Sequence, residues 1–337
     1  MAGTPTRLSA TLADDDRQRL TALREGSIRA LSRTITLIES TRADHRVRAG
    51  QVLDALLPDT GRSMRIGISG VPGVGKSTFI ETLGLHLVGT GHRVAVLAVD
   101  PSSSRSGGSI LGDKTRMEQL SRHPAAFIRP SPTGGSLGGV ASRTRESMLA
   151  CEAAGFDVII VETVGVGQSE VAVAGMVDCF VLLQLPNAGD ELQGIKRGIM
   201  ELADLVVINK ADLDPIAARL ARRQIAAALH LLSTRMSCWA PQALSLSARD
   251  GAGIEDFWGR VGDFFARARS SGELERCRSE QAVEWLWMLL REGLEDRFRT
   301  HPGMSDRLAA LVRAVGDGGT TPTRAAQELL EKFSPRN

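Results

Sequence analysis

Residues 70–78 read Gly70-Val71-Pro72-Gly73-Val74-Gly75-Lys76-Ser77-Thr78, a complete G-x-x-x-x-G-K-S. The apolar run MRIGIS leads into this segment, and Phe79, Leu83 and Leu87 follow it at helical spacing. A strand, a glycine-rich loop and a helix in that order turn successive backbone N–H groups toward an anion, and the helix start adds partial positive charge. The segment therefore predicts a phosphate-binding loop, with Lys76 reaching the β- and γ-phosphates of a nucleotide and Ser77 ligating Mg²⁺.

The rest of the chain must supply a sheet that holds such a loop. After MRIGIS, the short apolar runs RVAVLAVD, AFIRP, FDVIIVE, CFVLLQL, DLVVINK and ALSLS recur between helical stretches. Strands that are apolar on both faces and alternate with helices indicate an α/β fold, a mostly parallel, doubly wound sheet. Residues 1–60 read as a helical N-terminal extension, with Leu20, Leu23, Ile28, Leu31, Ile35 and Ile38 at three-to-five spacing. The phosphate-loop domain is then 61–268, and 269–337 is a helical C-terminal arm. In the arm, Val283, Leu286, Leu290, Leu294 and Phe298 mark one amphipathic helix, and Leu308, Leu311, Val312 and Val315 a second. Pro322 opens a third helix, with Ala326, Leu329, Leu330 and Phe333 on its face. An arm too small for a deep core of its own must bury that surface on the main domain or on a second subunit, and the expectation is a second subunit. Trp285 and Trp287 cannot share one narrow stripe, so either both are core or one of them is an interface anchor.

Charge narrows the partners. With 41 Lys plus Arg against 39 Asp plus Glu the chain carries +2, which excludes the basic field expected of a nucleic-acid binder. No apolar stretch is long enough to span a bilayer and the N-terminus has no signal core, so the sequence reads as cytoplasmic and without a membrane partner. The four cysteines, Cys151, Cys179, Cys238 and Cys277, form neither a metal cluster nor a disulfide frame.

Two further loops address the base. The run DLVVI ends in Asn209-Lys210-Ala211-Asp212, an N-K-x-D whose aspartate accepts hydrogen bonds from the guanine N1–H and amino group, neither of which adenine offers. The loop Ser247-Ala248-Arg249 follows ALSLS and is similar to one whose backbone N–H contacts the guanine O6. Together they select GTP over ATP. For the metal, FDVIIVE ends in Glu162, three residues before Gly165, whose N–H is expected at the γ-phosphate. Upstream, Asp100 and Asp113 bracket a loop rich in serine and glycine, and with Ser77 and Glu162 they make the expected Mg²⁺ shell. No glutamine obviously orients the attacking water; Gln168 is the nearest candidate.

The segments GVPGVGKST (70–78), VDPSSSRSGGSILGDKTRM (99–117), ETVGVGQSE (162–170), NAGDELQGIKRGIMELAD (187–204) and NKAD (209–212) resemble the MeaB/ArgK/methylmalonic aciduria type A family of phosphate-loop GTPases. The resemblance covers essentially the whole chain. It implies a slow GTPase, binding GTP or GDP with Mg²⁺, that works as a homodimer and escorts adenosylcobalamin-dependent methylmalonyl-CoA mutase, gating cofactor loading and protecting or reactivating that enzyme. It also implies a third switch containing Asn187, Asp190, Glu191 and Lys196. Three alternatives remain in view. A nickel-insertion GTPase for hydrogenase or urease would need metal ligands, and the six scattered histidines, none paired with a cysteine, do not provide them. An amino-acid transport-system kinase would need a base pocket that the N-K-A-D loop argues against. A module that uses GTP only as a structural ligand would have no need of Lys76, Ser77 and the metal acids.

Overall fold

The apolar runs become seven strands because residues flanked by helices on both sides must be apolar on both sides. In the computed structural model, which describes residues 12–99, 117–130, 137–163, 169–186, 197–232 and 234–333, they are β1 (Met64–Gly70), β2 (Val94–Val99), β3 (Ala126–Arg129), β4 (Val158–Thr163), β5 (Cys179–Gln184), β6 (Leu205–Ile208) and β7 (Gln242–Ser245). They form one sheet in the order β3-β2-β4-β1-β5-β6-β7, and every pairing is parallel. All residues of β4 and β5 are buried, whereas the edge strand β7 is half-buried throughout.

Alternate strand residues face opposite cores. Ile66, Ile68, Val158, Ile160, Val181 and Leu183 pack with α4 (Lys76–Gly89) and α10 (Ile254–Ser270), where Phe79 meets Phe257 edge to face at 5.1 Å. Ile159, Val161, Phe180, Leu182, Val206 and Ile208 face α6 (Leu137–Ala153), α7 (Ser169–Ala174) and α9 (Pro215–Leu229). The short helices α5 (Glu118–Arg122) and α8 (Arg197–Met200) lead into β3 and β6.

The N-terminal extension is three helices, α1 (Asp14–Arg24), α2 (Ile28–Ile38) and α3 (Ala43–Leu56), whose Leu23, Leu31, Ile35 and Leu56 are fully buried on the α6 side of the sheet. Ser27 caps α2 by accepting from the Ala30 N–H. Glu152, near the end of α6, ties the extension's exit to β1: it accepts from the Gly61 N–H at 2.7 Å and Arg65 Nε at 2.8 Å. Burial disfavours its charge, but those donors outweigh it and hold the carboxyl below its ordinary range.

Two compact units divide the chain at Arg278 and Ser279, within α11 (Glu273–Thr300). In the second unit α12 (Ser305–Gly316) and α13 (Pro322–Phe333) close around Met304, Leu311, Ala325 and Leu329, with Phe298 edge to face with Phe333. Among the described residues no helix is long and apolar enough to cross a membrane.

Candidate nucleotide site

β1 lies between β4 and β5, and the chain leaves it for β2 on one side and returns to β5 on the other. Its C-terminal end is therefore a topological switch point, where open parallel sheets bind ligands. The loop from Gly70 to Gly75 curls there. Gly70 has φ +154°, and a Cβ on it would stand 2.7 Å from the Leu183 carbonyl of β5; Gly75 has φ +96°, and its Cβ would meet Asn209 Nδ2 at 2.8 Å. No side chain fits at either place. Lys76, in the first turn of α4, is 9% exposed, and its ammonium donates to the carbonyls of Gly70 (2.8 Å) and Val71 (3.3 Å). The charge is thus held against the loop's own backbone. Ser77 follows in the same turn.

Asn209 joins this loop to the loop expected, with its own, to read the base. Its Nδ2 donates to the Val74 carbonyl at 2.9 Å, and its Oδ1 accepts from the Ala248 N–H at 3.0 Å. One buried amide therefore uses both of its ends to fix two loops that lie on opposite sides of it in sequence. Lys210 Nζ donates to the Gly73 carbonyl at 2.8 Å. Lys210 is the one non-glycine with positive φ among the described residues, at +59°, a conformation costing on the order of 1 kcal/mol. Three backbone contacts hold that turn: Ala211 N–H to the Leu246 carbonyl, Leu213 N–H to the Lys210 carbonyl, and Asn209 N–H to the Gln184 carbonyl. Asp212 emerges from it exposed, as does Arg249 from the second loop.

Several supporting contacts escaped the sequence reading. Thr82, two turns into α4, donates to the Ala248 carbonyl at 2.7 Å, so the helix that carries Lys76 also sets the second base loop. Ser247 and Asp250 lock that loop internally, Asp250 N–H donating to Ser247 Oγ and Ser247 Oγ to Asp250 Oδ2. The three-residue spacing of Ser247 and Asp250 was the available signal. Behind the loops, Asp204 accepts from the Phe180 N–H at 2.8 Å and pairs with Arg235 at 3.0 Å, although burial pushes its carboxyl up to about 6.

Glu162 is the next-to-last residue of β4, opposite Ile68 of β1, and is 8% exposed, on the strand neighbouring the one that enters the phosphate loop. Beside it, Thr163 Oγ1 and Ser69 Oγ are hydrogen-bonded at 2.9 Å, a buried polar pair at the sheet's C-terminal edge. Of the remaining expected residues, Asp100, Asp113, Gly165, Gln168, Asn187, Asp190, Glu191 and Lys196 lie outside the described residues.

The family model described as the methylmalonyl Co-A mutase-associated GTPase MeaB matches residues 31–303, from the second helix of the extension into the second compact unit. The chain belongs to the MeaB family. A probable GTPase of Mycobacterium tuberculosis is 56% identical over 312 residues, which is 92% of this chain and 93% of that protein. A mitochondrial methylmalonic aciduria type A homolog of Mus musculus is 48% identical over 328 residues, 94% of this chain and 79% of that protein. Among solved structures, a crystal structure of an LAO/AO transport system kinase superposes with a TM-score of 0.77 at 38% identity, covering 96% of this chain and 99% of that one. The family match starts within α2 and runs past the end of α11.

Proposed function

We propose that the chain is a slow GTPase that gates adenosylcobalamin loading of methylmalonyl-CoA mutase and protects or reactivates that enzyme. The observation that carries the GTPase part is the Asn209 clamp, which makes the phosphate loop and both base loops one continuous surface at the switch point of the sheet. The client is supported by the match to the methylmalonyl Co-A mutase-associated GTPase family and by the mouse relative, a methylmalonic aciduria type A homolog.

In this reading the Lys76 ammonium exchanges the Gly70 and Val71 carbonyls for oxygens of the β- and γ-phosphates, and the loop amides share the remaining charge. Among the described residues no group of three or more His, Cys, Asp or Glu side chains could hold a metal by itself. Mg²⁺ keeps several waters and is held by a few protein ligands together with phosphate oxygens. Ser77 and Glu162 would hold it, with Asp100 and Asp113 completing the shell, and it would neutralise charge on the γ-phosphoryl group. The Gly165 N–H would contact the γ-phosphate, and Asn187, Asp190, Glu191 and Lys196 would relay nucleotide state to the client.

The experiment is GTP turnover by the purified chain with and without apo- and holo-methylmalonyl-CoA mutase, together with co-elution of the two. Stimulated turnover and a stable complex are expected. Unchanged turnover with separate elution would leave a GTPase and remove this client. Running the same assay with ATP also tests the kinase reading suggested by the similarity to an LAO/AO transport system kinase: preference for ATP would favour it.

The arm supports a homodimer. Val283, Leu286, Trp287, Leu290 and Leu294 recur on one face of α11 and are 44–57% exposed, an apolar stripe of the kind that marks an interface. Wild-type protein is expected to elute as a dimer and Leu290→Glu as a monomer with an unaltered melting temperature. A monomeric wild-type chain, or a variant that stays dimeric, would remove the stripe as the interface.

A further inference from the structure

The N-terminal helices and α6 line a cavity of about 710 Å³ that contains none of the nucleotide-loop residues. Five arginines line it, Arg19, Arg33, Arg42, Arg48 and Arg143, against one acidic residue, Glu39. The nearby acids are already engaged. Glu39 pairs with Arg129, Asp16 with both Arg19 and Arg48, Asp15 with Arg48 at 2.9 Å, and Asp44 with Arg42 at 2.8 Å.

Counting Arg129, six guanidinium groups thus meet four carboxylates, and the two left over are Arg33 and Arg143. Glu146, three residues beyond Arg143, is only a partial counter-charge: burial raises its carboxyl to about 7, against the opposing pull of the Arg143 charge. The surplus is felt locally. Burial and the neighbouring Arg48 and Arg33 push Arg19 below its ordinary value, and Arg19 Nε is buried without an acceptor, an arrangement that costs free energy unless something accepts from it.

An oxyanion would offset both the repulsion and the unmet donor, and the planar fork of arginine matches phosphate oxygens in pairs. The cavity is of the size that takes a small molecule. We infer that it is a second anion site, for a phosphate-bearing small molecule, built from the N-terminal extension and α6 and separate from the nucleotide loop. Glu39 connects it to the sheet: its partner Arg129 ends β3 opposite Leu97 of β2, the strand that runs toward residue 100. An anion that draws on Arg33 and Arg143 therefore binds one ion pair away from the sheet's C-terminal edge.

The test is calorimetric titration of the full chain with inorganic pyrophosphate, with Mg²⁺ in excess and GDP saturating so that the phosphate loop is filled. One saturable site per chain is expected. Arg33→Ala with Arg143→Ala removes two charge-assisted contacts and is expected to weaken the site by at least about tenfold, with GDP affinity and melting temperature unchanged. Lysine at both positions should recover only part of the loss, since charge returns without the fork. Arg33 is exposed, so Arg33→Ala alone gives the same readout, smaller, if the double variant does not fold. Absence of saturable binding, full displacement of pyrophosphate by GDP, or undiminished affinity in the alanine variants would each overturn the assignment, the last pointing to a different basic surface.

Discussion

Lys76→Ala is expected to lower single-turnover GTP hydrolysis by about three orders of magnitude or more, because an ammonium aimed at a developing phosphoryl charge in a water-poor site is worth roughly 4 kcal/mol. The size follows from where the structure holds the side chain. Lys76 is nearly buried, and its ammonium lies against the carbonyls of Gly70 and Val71, so it is already partly desolvated and needs only to change acceptors when phosphates arrive. A cation that must first be collected from solvent would contribute less. The fold should survive. The substitution removes two contacts to the loop backbone, while Gly70, Gly75 and the Asn209 clamp still fix the curl. Phosphate release from a saturating GTP complex, beside a melting curve, is the measurement. Turnover within a few-fold of wild type in a folded variant would remove Lys76 from the mechanism and with it the phosphoryl-transfer reading of this loop.

The sheet was legible because its signal is local and redundant. The central strands are apolar runs buried on both faces, so burial in β4 and β5 reproduces the sequence pattern residue for residue. The phosphate loop was legible for a different reason: Gly70 and Gly75 occupy backbone conformations and close approaches that few other residues tolerate. What was not legible is pairing across distance. The sequence shows Asn209 in a base-reading tetrapeptide, but nothing in it says that one amide bridges Val74 and Ala248. Asp16 makes the same point. It stands in a run of three aspartates, yet it is 1% exposed and paired with Arg19 and Arg48, the second of them 32 residues away. A buried carboxylate leaves no hydrophobic period to detect, and its partner is set by how α1 and α3 meet.

Asp212→Asn is expected to reduce GTP affinity by about a hundredfold or more while raising affinity for xanthosine triphosphate. The carboxylate would accept from the guanine N1–H and amino group, two charge-assisted bonds whose joint loss is on the order of 3 kcal/mol. An asparagine amide keeps one acceptor and gains a donor, which suits the carbonyl that xanthine carries where guanine has its amino group. The structure makes this a clean exchange. Asp212 is exposed, so the variant alters charge without disturbing packing. The turn presenting it is fixed by groups that the substitution leaves alone, namely the Lys210 backbone at φ +59°, the Ala211 N–H bond to Leu246, and Lys210 Nζ on Gly73. Position and chemistry are therefore separable: Asp212→Asn should redirect base choice, whereas Asn209→Ala should loosen the surface and weaken both nucleotides alike. Binding curves for the two nucleotides on both variants make the comparison. Unchanged guanine selectivity in the folded Asp212 variant would show that another loop reads the base. Equal losses for both nucleotides would show that the carboxylate holds the turn rather than the base, against its exposure and the backbone contacts that fix the turn without it.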